Sequence, residues 1–201
     1  MQKRKKLRKE KNFFKKNFLK SIDYMKDSKD FIYSSILIFF IFSVIGAFFP
    51  TPKSIELRIL EILEELLKLT EGMNWQQLTK FIFFNNLKTG FYGFILGVFL
   101  GVFSVIVLIV NGYILGYVSI RVIQIDSVLV LWKLFPHGIF ELPAIFISTG
   151  LGIRLGSFIF QKDKIKSFKF YLISGIRTFI FVVIPLLIIA AIIESTLIHF
   201  F

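Results

Sequence analysis

Residues 81–121, FIFFNNLKTGFYGFILGVFLGVFSVIVLIVNGYILGYVSIR, decide how this chain is built. As a single helix the stretch would be roughly 60 Å long, at about 1.5 Å per residue. The hydrocarbon core of a bilayer is only about 30 Å thick, so two spans fit and one does not. Gly97 and Gly101 mark the place for a tight hairpin, because glycine accepts the backbone angles a sharp reversal needs. The pattern predicts one span over about 81–98 and the next over about 102–122. A hairpin that dips into the membrane around 90–110 and returns is the competing geometry.

The flanking sequence extends the same pattern. Phe31–Phe49 is an apolar block stopped by Pro50, and further blocks run over about 136–160 and 170–195. The first block is longer than a signal-peptide core and no small-residue cleavage site follows it, so it is expected to remain as an anchor. The 201 residues are 55% hydrophobic with a mean hydropathy of +0.73, beyond what a soluble domain carries. The expected fold is all-α: a polytopic helical membrane bundle of about five spans. Between the first two spans, Thr51-Pro52 reads as an N-cap followed by a helix-starting proline. Ile55, Ile59, Leu63 and Leu66 then share one face, predicting an amphipathic helix over about 52–70 that Gly72 ends. Asn74 and Gln77 form a capping-box pattern around Trp75, a residue suited to the membrane interface.

Charge sets the orientation. Residues 1–30 carry twelve Lys or Arg against four acids, a net +8. Beside a membrane span, such a run holds the terminus in the cytoplasm and touches anionic lipid; no nucleic-acid module accompanies it. Phe13, Phe14, Phe18, Leu19 and Ile22 recur there at helical spacing, as in an interfacial helix. With five spans, the basic loop 161–169 lies inside with the N-terminus, and the acidic segment 50–78 lies outside with the C-terminus. The chain is therefore expected to be a multi-pass protein of the cell membrane, with residues 1–30 as a cytoplasmic segment and 31–201 as the membrane domain. There is no cysteine, which excludes disulfides, thiolate metal sites and thiol catalysis.

Polar groups in such spans are costly and usually paired. Asn85, Asn86 and Lys88 follow the start of the second span, Asn111 sits in the third, and His137 and Glu141 begin the fourth. By topology all six share the outer half of the bilayer and are expected to form one network. His137 and Glu141 are four residues apart and share a helix face. Pro136 suits a first helical turn, and Pro143 removes a helix hydrogen bond beside Glu141. A packing lock is the favoured role, because polar contacts commonly hold membrane helices together. A proton, ion or substrate path is the sharper alternative. His137 and Glu141 supply two metal ligands where a site normally takes three, so neither a metal nor any other cofactor is expected. Gly93, Gly97 and Gly101, then Gly112 and Gly116, then Gly150, Gly152 and Gly156 permit close helix approach. Packing within the chain is favoured over homo-oligomer contacts. Arg154 and Arg177 are expected to snorkel toward lipid phosphate, and Glu194 to be interfacial.

Phe83-Phe84-Asn85-Asn86, Asn111-Gly112 with Gly116, Pro136-His137-Gly138 with Glu141-Leu142-Pro143-Ala144, and Gly150 through Gly156 occur in an order that resembles the stage II sporulation protein M-like membrane proteins. The resemblance covers about residues 30–195. It implies a multi-span helical protein without a hydrolase site of its own, and marks Asn85, Asn86, Asn111, His137 and Glu141 as signature positions. The family's named member belongs to the engulfment machinery of spore formers and scaffolds peptidoglycan-remodelling enzymes. By that resemblance the expected function is a non-catalytic scaffold that holds membrane or envelope proteins. A small transporter using the buried His, Glu and Asn groups is the second expectation.

Overall fold

In hydrocarbon every peptide group must find its partner within the protein, so apolar runs of this length close their own hydrogen bonds as helices. The computed structural model describes the backbone of residues 2–125 and 131–200, and the side chains of residues 12–124 and 138–200. Among the described residues there are helices and no strand. They are α1 (Gln2–Asp27), α2 (Lys29–Phe48), α3 (Lys53–Thr70), α4 (Trp75–Ile95), α5 (Val102–Ile125), α6 (Leu131–Gly156), α7 (Lys164–Thr178) and α8 (Ile184–Phe200). A 3-10 turn, Leu96–Val98, extends α4, and another, Ser157–Phe160, extends α6. A π turn, Phe179–Val183, joins α7 to α8.

Helix directions follow from who meets whom. Gly112 lies on Phe39 and Gly116 on Ser43, so α2 and α5 run parallel. Gly90 sits beside Ser148, Gly97 on Gly152, and Gly156 on Gly101, so α4 and α6 run parallel. The Ser35 hydroxyl donates to the Phe146 carbonyl at 2.9 Å, while Gly150 lies on Ile32, which makes α2 and α6 antiparallel. Trp75 Nε1 donates to Thr196 Oγ1 at 3.1 Å, and the Thr79 and Ser195 hydroxyls share a hydrogen bond at 2.6 Å, which makes α4 and α8 antiparallel. Helices α2, α5 and α8 therefore run one way and α4 and α6 the other. That is the alternation five crossings require, and it agrees with two spans in 81–121.

Among the described residues, four stretches are long and apolar enough to cross a membrane on composition alone: Lys29–Phe48, Val102–Gln124, Gly138–Phe160 and a stretch within Lys164–Phe200. Helix α4 is the more polar fifth. Its buried residues Leu78, Ile82, Asn86, Gly90 and Gly93 form a stripe at intervals of three and four that faces α6 and α8. The reversal after α4 is made by Leu100 (φ 59°) and Gly101 (φ 76°). Gly97 takes the close-approach role its spacing predicts and leaves the reversal to Leu100 and Gly101. It lets the backbones of α4 and α6 touch, and a Cβ there would overlap the Gly152 carbonyl.

Several boundaries move from their sequence-based positions. Helix α4 starts at Trp75 and not near 81, because Asn74 caps it. The Asn74 side chain accepts from the Gln77 N–H at 3.0 Å while Gln77 Oε1 accepts from the Asn74 N–H at 3.0 Å. Helix α3 begins after Pro52, and Thr51 gives up the expected capping role: its hydroxyl accepts from the Tyr113 hydroxyl at 3.0 Å. Pro136 is not in a first turn, since α6 already begins at Leu131, and the helix continues through Pro143 as well. The predicted fifth span is interrupted by the π turn. Pro185 lacks an N–H and its ring would press on the carbonyl four residues earlier, so the backbone widens over 179–183.

Helix α1 folds back along α7. Tyr24 and Phe170 meet edge to face with centroids 5.8 Å apart, and Phe14 meets Phe181 at 5.6 Å. Arg154 does not snorkel. It donates to Ser28 Oγ at 2.5 Å and the Tyr24 carbonyl at 3.4 Å, and its guanidinium lies 4.5 Å from the Tyr24 ring centre and 5.0 Å from that of Tyr171. Burial raises the Tyr24 phenol above its ordinary range. It therefore stays protonated and donates to the Tyr171 carbonyl at 3.4 Å. One arginine thus ties α6 and α7 to the junction of α1 and α2.

Candidate functional site

The buried stripe of α4 carries one strongly polar residue, Asn86. Its amide stands beside the Glu141 carboxylate of α6. The Glu194 carboxylate of α8 lies within electrostatic range of Glu141. Among the described residues, Glu194 Oε2 is shielded from solvent and has no hydrogen-bond partner. Glu194 is therefore shielded within the bundle. Eleven residues separate Trp75 from Asn86, about 17 Å of helix.

The predicted six-residue network divides. Asn86 and Glu141 face each other. Asn111 stands across a cavity of about 610 Å³ that lies between α2, α5 and α6, and Glu141 borders the same cavity. Asn111 Nδ2 donates to the Val107 carbonyl of its own helix at 2.8 Å. Asn85 and Lys88 do not join. At about 100° per residue, they leave the buried stripe that Asn86 occupies, and both are exposed. Lys88 borders a separate apolar recess with Phe91 and Phe179. His137 and Pro136 lie on the backbone of α6, but their side chains fall outside the described residues.

The eight predicted packing glycines all meet helices of the same chain. Gly93 faces Thr149, Gly101 faces Ile153, Gly150 faces Ile32, and Gly152 faces Gly93 and Ser104. Gly46, not singled out in the sequence, does the same against the Tyr113 carbonyl. Serines exploit the close approach. Ser148 Oγ donates to the Gly90 carbonyl at 2.5 Å, and Ser104 Oγ to the Gly93 carbonyl at 2.6 Å. These bonds were not legible because a serine in an apolar run carries no mark of which helix it will meet.

Chemically, the cluster is rich in acceptors. Among the described residues neither Glu141 nor Glu194 forms an ion pair, and no three His, Cys, Asp or Glu gather as metal ligands. If the cluster acts as a packing lock, the amide of Glu141→Gln keeps a polar partner for Asn86 and removes the charge, so stability should stay within about 1 kcal/mol of the parent. Asn86→Leu leaves the carboxylate against hydrocarbon and should cost about 2 kcal/mol. Thermal unfolding of the two variants in detergent measures the difference. A larger loss in Glu141→Gln than in Asn86→Leu would sink the lock.

Five alternating helix crossings, glycine-mediated backbone contacts and a carboxylate cluster in the interior define a helical membrane protein. The chain belongs to the stage II sporulation protein M family, whose sequence model matches residues 35–197. No curated protein and no solved structure matches it.

Proposed function

We propose that this chain is a non-catalytic scaffold of the cell membrane, with its N-terminus inside and its C-terminus outside. In this reading it holds membrane or envelope proteins by means of α3. The arrangement of α3 carries the proposal. Tyr117 and Arg121 of α5 donate to Glu56 Oε1 at 2.9 Å and 2.8 Å, and Ile59 is buried, so the first turns are anchored. Beyond them, Leu57, Leu60, Leu67 and Leu69 are each about half exposed or more. An apolar patch of this kind, rimmed by Glu61, Glu64 and Glu65, is what a docking surface looks like. The acidic balance of segment 50–78 supports an outside location, and the lysines of 161–169 support the opposite side.

Leu60→Glu combined with Leu67→Glu should strip co-purifying membrane or envelope proteins from the chain and leave its thermal unfolding unchanged, because neither leucine is in the core. Undiminished co-purification would contradict the proposal. The unpartnered Glu194 Oε2 supports a second reading, a small proton- or ion-coupled transporter. Under that reading, liposomes containing the protein show a flux that Glu141→Gln abolishes while the fold persists.

A further inference from the structure

The cavity between α2, α5 and α6 has a one-sided chemistry. Its volume of about 610 Å³ lies within the roughly 300–1,000 Å³ typical of small-molecule sites. Phe39, Leu63, Leu115 and Leu142 make its walls apolar, and Glu141 of α6 and Asn111 of α5 both border it. Glu141 brings acceptor oxygens. Asn111 commits one Nδ2 hydrogen to the Val107 carbonyl, which leaves Oδ1 as an acceptor beside the second N–H. Glu194 adds a second negative group within electrostatic range of Glu141. The complement to such a lining is a cation that donates hydrogen bonds and is attached to an apolar body.

The shape selects the size of that body. Residues 111–119 of α5 and 138–145 of α6 form the long walls, each about 12 Å of helix, less than half of an approximately 30 Å core. The Phe39 and Phe146 rings meet with centroids 5.1 Å apart beside one end, and Leu63 of α3 overhangs the other. A transmembrane helix, about 10–12 Å across, needs a groove open through the membrane thickness, whereas a single alkyl chain does not. We infer that this cavity binds a single-chain amphiphile bearing a primary ammonium, with the ammonium between Glu141 and Asn111 and the chain against Leu115 and Ile139. Each charge alone is costly at this depth, and the pair is not. The inference is independent of the scaffold role of α3.

The test is photolabelling of the full chain in phosphatidylcholine nanodiscs with a diazirine-bearing analogue of dodecylamine. Label should fall on peptides covering 111–119 and 138–145, and be displaced by dodecylamine but not by dodecanol. Glu141→Gln should weaken labelling about tenfold, the loss expected for one hydrogen bond to a charged group. Ile139 is 53% exposed, so Ile139→Trp can fill the cavity mouth without disturbing the core. It should abolish labelling with Glu141 intact and the melting temperature unchanged. Equal displacement by dodecanol, label scattered over other lipid-facing segments, or labelling undiminished in both variants would overturn the inference.

Discussion

Gly116→Leu should destroy the folded bundle, at a cost above about 3 kcal/mol, the upper end of ordinary overpacking. A Cβ at Gly116 would overlap the Ser43 carbonyl and stand 3.0 Å from the Ala47 nitrogen. Both are backbone atoms of α2, so no rotamer change relieves the clash. The helices must separate, and α2 with α5 is the most extensive helix pair among the described residues. Separation would also loosen Gly112 from Phe39 and Gly46 from Tyr113, because the three contacts share one interface. Gly138→Ala provides the contrast. Among the described residues, its Cβ would meet only Leu142, at 3.6 Å, an ordinary contact. Replacing glycine by alanine inside a helix then stabilises by about 0.5–1 kcal/mol. Thermal unfolding in detergent should separate the two variants clearly. A Gly116→Leu protein as stable as its parent would mean that α2 and α5 do not pack as described.

Arg154→Ala should be the most damaging change at the end of the bundle where α1 joins α2, costing about 2–4 kcal/mol. It removes a charge-assisted hydrogen bond to Ser28 and two cation–π contacts, with Tyr24 and Tyr171. Arg154→Lys should recover only part of the loss, because a point charge cannot bond Ser28 and lie flat over two rings at once. The local signature is release of α1. Amide hydrogen exchange over residues 13–27 should quicken by more than exchange in α4 or α6. Unchanged protection of α1 in Arg154→Ala would show that the arginine does not hold it.

Much of this architecture was legible because bilayer thickness and helix rise leave few choices. Residues 81–121 are too long for one crossing, and the positive residues of 161–169 lie on the side that five crossings require. The capping box at Asn74 was readable, since its two side chains act on their own local backbone. Pro185 should have signalled the π turn, but a proline in an apolar run does not say whether a helix will kink, stop or widen. The candidate site was readable only in part. Asn85 and Asn86 are adjacent in sequence and point to different surroundings, and only the packing of α4 against α6 and α8 shows which is interior. Glu194 looked interfacial because it lies near the end of the chain. Helix α8 in fact brings it within electrostatic range of Glu141 on α6. Arg154 resembled a snorkelling residue because its partners, Tyr24 and Ser28, are more than a hundred residues away.

The central claim is that the chain crosses the membrane five times, with α3 on one side and the lysine-rich start of α7 on the other. The chain contains no cysteine, so single cysteines can be introduced without background. In intact cells, Glu64→Cys should react with a membrane-impermeant maleimide, and Lys166→Cys should react only after the membrane is permeabilised. Equal labelling of both positions in intact cells would contradict the five-crossing arrangement and the placement of α3 on which the scaffold proposal depends.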